Sequence, residues 1–270
     1  MSSTGMRTPS ELSDSTNEFR LKNINALNIC FGDGADAMFG DKPDFLYEAI
    51  LLLQDTNKDF LIGVWDNDSL TEGWNSKERA LASYISNVLI KEHASAGKRE
   101  RVTDSFVNYL LGVLEFNVHP LSLELKADCY FKVYNKKKDK LFVIVDEDKH
   151  LNNISKATWW GEYQIAGELL ASAFVNHEKI RGIYRAQSLF AIRVIGTRFT
   201  FYRAEIESNY ITSLHEGFPT NKMYIYSYPV DQIIDEVPCF DYTDPGQRRM
   251  ILDILIRIKY FVLQNRTVSR

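Results

Sequence analysis

The chain has 270 residues, 45% hydrophobic and 25% charged, with a formal net charge of −4. This is an ordinary globular composition, long enough for a sizeable core in one large domain or one domain with an accessory segment. The negative balance excludes a general electrostatic attraction to nucleic acid or to an anionic membrane, so any polyanion must meet a local basic patch.

Three cysteines, Cys30, Cys129 and Cys239, are odd in number and far apart. They argue against a disulfide framework and a CxxC zinc site, and point to an intracellular setting, cytoplasmic or nuclear. The first residues hold no apolar signal core, although a leader removed upstream stays open. No run of about 18 apolar residues is present to span a membrane.

In chain order, residues 1–18 are rich in Ser and Thr and read as a disordered tail. Residues 44–54 read as a short helix, and Phe60–Trp65 as a buried strand or apolar core run. Residues 76–93 have helical periodicity through Leu81, Tyr84, Ile85, Val88 and Leu89, with Ser76 as the expected N-cap. A second helix is expected from Glu100 to Leu114, with Val102, Phe106, Leu110 and Val113 on one stripe. The pattern then changes to period two: Leu123, Leu125, Ala127, Cys129, Phe131 and Val133 fall on one face of one or two strands. A polar turn, Asn135–Lys140, leads into a strand over 141–149. A helix over 159–175, strands near 189–195 and 198–204, the strand Met223–Tyr228 and a helix over 247–264 complete the chain, with Pro245 and Gly246 marking the last helix's start. The parse is an α/β fold: a tail (1–18), an N-terminal extension packed on the core (19–99), and a core with a C-terminal helix (100–270).

The stretch Val143–Lys149 runs from strand formers into three consecutive acids and a lysine. If the turn is centred, Tyr134 opposes Leu141, Phe131 opposes Ile144 and Asp128 opposes Glu147. Directly opposed residues share a face, with Cβ atoms about 5 Å apart. Alternation then groups Asp128, Glu147 and Lys149 on one face and turns Asp146 and Asp148 to the other. Opposed carboxylates repel unless a cation lies between them, and Mg²⁺ takes one or two carboxylates while keeping positions for water and phosphate. The plainer alternative is a solvated strand end with Asp128 as a surface acid.

Other signals fail on their own chemistry. Asp55, Asn57 and Asp59 begin like an EF-hand loop, but Phe60 stands where glycine is required. Residues 31–36 lack a phosphate-loop pattern, the five histidines show no metal spacing, and no Ser or Cys sits in a nucleophile-elbow context. Asp146-x-Asp148 read as a glycosyltransferase DxD leaves Asp128 and Lys149 unexplained.

The order Glu100 on a helix, Asp128 opening a strand, Glu147-Asp148-Lys149 closing the next, and Gln164 on the following helix resembles the PD-(D/E)XK phosphodiesterase superfamily. These are the restriction-endonuclease-like nucleases, and the resemblance covers 100–205. Ala127 replaces the proline that often precedes the Asp, and Glu168 stands where some members carry a Tyr after Gln164. The resemblance implies a restriction-endonuclease-like core, a central mixed β-sheet flanked by helices, with N-terminal additions. It implies that Asp128, Glu147 and the carbonyl of Asp148 hold Mg²⁺, or Mn²⁺ in its place, polarising a phosphodiester and activating water. Lys149 would assist the attacking water, Gln164 would position lysine, water or substrate, and Glu100, with Glu92 and Glu78 as rivals, would complete a second metal's shell or merely suit a helix N-terminus.

The expected activity is hydrolysis of DNA, with RNA as second choice and no membrane partner. The rival expectation is a catalytically inactive nuclease-like module that binds nucleic acid or protein. Arginine pairs with phosphate bidentately, so Arg181, Arg185, Arg193 and Arg198 are the expected nucleic-acid contacts. The lysines of the hairpin tip and the cations of the last helix are secondary, and His150, Trp159 and Trp160 could stack on bases or pack in the core.

Overall fold

Two long strands, β5 (Gln187–Ile195) and β6 (Arg198–Ile206), form the spine of the molecule and meet at Gly196, whose φ of 62° suits a residue without Cβ. Both are buried on both faces, as strands covered by helices on two sides must be. The remaining elements, in chain order, are α1 (Leu21–Ala26), β1 (Ile29–Asp33), α2 (Lys58–Asp66), α3 (Ser76–Ile90), α4 (Ala96–Val113), β2 (Leu121–Leu125), β3 (Tyr130–Asn135), β4 (Lys140–Glu147) and α5 (Glu162–Lys179). After the spine come α6 (Ser208–Glu216), β7 (Met223–Tyr228), the short β8 (Ile233–Ile234), β9 (Val237–Pro238) and β10 (Phe240–Asp241), and α7 (Pro245–Gln264). This computed structural model describes the backbone of residues 12, 15, 19–41, 43, 53, 55–92, 96–125, 130–137, 140–147, 161–179, 185–234 and 237–264, and most of their side chains.

The main sheet is eight-stranded and mixed, in the order β1-β7-β6-β5-β4-β3-β2, with β10 also paired to β6. β4 runs parallel to β5 and β1 parallel to β7; the other pairs are antiparallel. One face packs Val143, Phe190, Ile192, Val194, Phe199 and Phe201 against α2, α3, α4 and α7. The other packs Ile144, Ala191, Tyr202, Ala204 and Ile225 against α1, α5 and α6. The fold is therefore α/β, with a central mixed sheet between two helical layers.

Local chemistry explains where the sequence reading shifts. Phe60–Trp65 is helical: the Asn57 side chain accepts from Phe60 N–H at 2.9 Å and opens α2, which buries Leu61 and Val64. Short apolar runs of this kind satisfy either period, and the cap decides. The cap of α3 is Asn75, not Ser76; it forms a reciprocal capping box with Glu78. Helix α4 starts at Ala96, so Glu100 lies in its second turn rather than at its N-terminus. Strand β1, unexpected from a five-residue segment containing glycine, exists through parallel pairing with β7. The expected helix over 44–54, apart from residue 53, lies outside the described residues, as does the tail apart from residues 12 and 15.

The β3–β4 hairpin also differs from the uniform register. Tyr134 pairs with Leu141, as expected, but the register then shifts: Val133 pairs with Val143, Phe131 with Val145 and Tyr130 with Asp146. The expected pair Phe131–Ile144 does not form. Phe142 is the extra residue of a β-bulge, and both it and Val143 enter the same core cluster while Leu141 and Ile144 enter the opposite one.

Candidate active site

In an open α/β sheet, the crevice outside the carboxyl ends of parallel strands is where ligands bind. Besides β1 and β7, the parallel pair is β4 and β5, at whose carboxyl ends Asp146 is in register with Arg193 and Glu147 with Val194. Helix α5 begins at this same end with Glu162, because it carries the crossover from β4 to β5. Helix α4 also points its start this way. Its Phe106 ring lies 6.1 Å from Phe199, the residue paired with Val194, whereas its C-terminal end leads to Leu121, paired with Asn135 at the hairpin turn. Glu100, six residues before Phe106, therefore lies about 9 Å further along the helix toward the carboxyl ends.

The candidate residues divide sharply. Asp128, Asp148, Lys149 and Arg181 lie outside the described residues, as do His150, Trp159 and Trp160, and Glu147 is described by its backbone alone. Glu100 is half-buried on α4. Gln164, half-buried on α5, donates from Nε2 to the Glu168 carboxylate at 3.0 Å, one turn along its own helix. Glu92 follows α3 and lies 3.8 Å from Arg198, at the turn joining β5 to β6. The opposition of Asp128 to Glu147 was expected from a uniform hairpin, and the bulge displaces that register by one residue over 130–133.

A buried polar group lies beside this end, joining Arg193, expected at a nucleic-acid surface, to Thr200 and Glu162, which were not expected in the site. Arg193 is 1% exposed; its guanidinium donates to Thr200 Oγ1 at 3.2 Å and sits 5.7 Å over the Tyr202 ring. Thr200 in turn donates to the Pro238 carbonyl at 2.7 Å. Glu162 is 8% exposed, and burial lifts its carboxyl to about 7 against the opposing charge of Arg193. A helix N-terminus by itself favours an ionised carboxylate, but desolvation dominates here. A carboxyl poised near neutral pH can accept or give a proton. In sequence, an acid at a helix start reads only as a dipole complement, which is why Glu162 was missed. Cys239, also buried here, has its thiol pushed up to about 11 by burial and is not activated as a nucleophile.

The described arginines expected at a nucleic-acid surface do not share one. Arg193 is interior, Arg198 is engaged with Glu92, and Arg185 stands before the start of β5, at the opposite end of the strand. Arg203 holds Glu205 and the Met38 carbonyl. In α7, Arg248 and Arg257 bind backbone carbonyls and Lys259 pairs with Glu115 at 2.9 Å.

Among the described residues, no group of three or more His, Cys, Asp or Glu is placed to hold a metal ion. No helix among them is long and apolar enough to cross a membrane. No protein-family model matches the chain, and no curated protein matches it.

Proposed function

We propose that the protein is a metal-dependent nuclease of the restriction-endonuclease-like type, hydrolysing phosphodiester bonds in DNA in preference to RNA, in an intracellular setting. The observation that supports this reading is the run α4-β2-β3-β4-α5-β5, in which β4 is parallel to β5 and the starts of α4 and α5 lie at the carboxyl ends of both strands. The motif residues follow that order: Glu100 on α4, Asp128 before β3, Glu147 closing β4 with Asp148 and Lys149 beyond it, and Gln164 on α5.

The donor set, two carboxylates of Asp128 and Glu147 and the carbonyl of Asp148, is all oxygen and suits Mg²⁺ or Mn²⁺. The ion, when bound, would polarise the phosphodiester and lower the pKa of water. Lys149 would orient that water and offset the charge gathering on the phosphate. Gln164, through its bond to Glu168, would present a fixed amide toward lysine or substrate.

The test is incubation of plasmid and linear DNA with Mg²⁺ or Mn²⁺, comparing wild type with Asp128→Ala and Lys149→Ala. Wild-type cleavage reduced at least about 100-fold in both variants is the expected result. Equal cleavage by all three sinks the assignment. The displaced hairpin register favours a second reading, an inactive nuclease-like module, and metal-independent gel-shift binding without cleavage would support it.

A further inference from the structure

The far end of β4, away from Glu147, gathers cations from three separate segments. Lys136 and Lys137 are exposed in the hairpin turn, which is held by Lys136 N–H donating to the Pro120 carbonyl at 2.8 Å and Lys137 N–H donating to Asn135 Oδ1 at 3.1 Å. Lys140 occupies the last rung of the hairpin, opposite Asn135, with its ammonium 5.8 Å from the Phe142 ring centre. Lys179 closes α5 with its ammonium 5.0 Å over the Tyr134 ring. Arg185, exposed in the segment that leads into β5, acts on Lys140.

Two features separate this cluster from a merely solvated turn. Lys140 is half-buried, and burial together with the Arg185 charge pushes its ammonium below the usual lysine range. Among the described residues, none of Lys136, Lys137, Lys140 and Arg185 takes part in an ion pair, although the last turn of α5 offers the acid Glu178. Holding like charges together while partly desolvating one of them costs stability, and an anion would offset that cost.

We propose that this end of the sheet binds the phosphodiester backbone of a nucleic-acid duplex, as an anchor remote from the cleavage site. The inference rests on the nuclease reading and extends it. Seven residues separate Lys140 from Glu147, about 23 Å of strand. Arg185 supplies the forked donor and the lysines point charges; Lys140 and Lys179 lie toward opposite faces of the sheet, and an extended polyanion crossing this end of the sheet suits such a spread of cations. The anchor is also local, which reconciles polyanion binding with the chain's net charge of −4.

The test is fluorescence anisotropy with a labelled 30-base-pair duplex in EDTA, so that cleavage does not enter, over a range of salt. Lys140→Gln/Arg185→Gln and Lys136→Gln/Lys137→Gln are compared with wild type and with Lys22→Gln/Lys58→Gln, two exposed lysines elsewhere; circular dichroism melts establish that each variant is folded. Lys140→Gln/Arg185→Gln should bind about tenfold more weakly, with a salt slope lower by about 2. The Lys22/Lys58 control should match wild type. Wild-type affinity and slope in Lys140→Gln/Arg185→Gln overturn the anchor, even where wild type cleaves in a manner dependent on Asp128. Loss of binding in that variant, with no cleavage by wild type, supports the anchor and sinks the nuclease. Binding to phosphatidylserine vesicles with none to the duplex also overturns it.

Discussion

Asn176 holds both backbone polar groups of Leu141: its Oδ1 accepts from the Leu141 N–H and its Nδ2 donates to the Leu141 carbonyl, each at 2.8 Å. The same Nδ2 reaches Gln187 Oε1 at 3.0 Å, and Gln187 donates to the Ala173 carbonyl at 3.0 Å. Leu141 needs these partners because the β4–β5 ladder begins two residues later, at Val143 and Phe190. A side chain of α5 thus completes the sheet where a strand is missing, beside the bulge at Phe142 that shifts the hairpin register.

Asn176→Ala should therefore destabilise the protein by about 3 kcal/mol, since it strands a buried N–H, a buried carbonyl and the Gln187 amide. Urea unfolding reads this as a lower midpoint at unchanged slope. A midpoint equal to wild type would show that water or a neighbour replaces the amide.

The hairpin register can be read by cross-linking. Phe131→Cys/Val145→Cys joins a directly paired position and should oxidise to an intrachain disulfide. Phe131→Cys/Ile144→Cys places the thiols on opposite faces and should stay reduced. The reverse outcome, followed by mobility on a non-reducing gel, would restore the uniform register that sets Asp128 opposite Glu147.

Burial of Glu162 carries a signed pH dependence. Its folded value of about 7 lies above the ordinary 4.5, so the folded state holds a proton that the unfolded chain releases. That contribution is complete below about pH 4.5 and is lost as pH rises to about 7, a change on the order of 3 kcal/mol. Glu162→Gln should abolish this fall and be the more stable protein at pH 8, measured by urea unfolding at pH 5, 6.5 and 8. Parallel profiles for variant and wild type would refute it.

Arg248 is 1% exposed and donates to the carbonyls of Leu53, Thr56, Tyr242 and Thr243 and to Thr56 Oγ1. Arg248→Met should cost about 4 kcal/mol, because charge-assisted bonds are lost and buried carbonyls are left unmet. Arg248→Lys should recover little, since an ammonium cannot span the same fork. Thermal melts of the two variants should nearly coincide; a lysine variant melting like wild type would mean that charge alone suffices.

The elements legible in the sequence were those whose pattern is long and locally complete. The stripes of α3 and α4, the β5–β6 pair and the strand Met223–Tyr228 follow from periodicity, because each buries a face that its own spacing defines. Phe60–Trp65 misled because a short apolar run suits helix and strand alike until the Asn57 cap is seen. β1 was illegible because its backbone pairs with β7, nearly two hundred residues away.

At the candidate site the same division holds. Sequence alone determined the α/β class and the placing of Glu100 and Gln164 on helices and of Glu147 at a strand end, since period and order are properties of the chain. Only the tertiary structure decided the one-residue bulge, the burial that raises Glu162, the interior position of Arg193 and the convergence of Lys140, Lys179 and Arg185 at one end. Each of these depends on what packs against a residue from a distant segment. Desolvation, register and charge proximity are properties of that neighbourhood, and no local pattern encodes them.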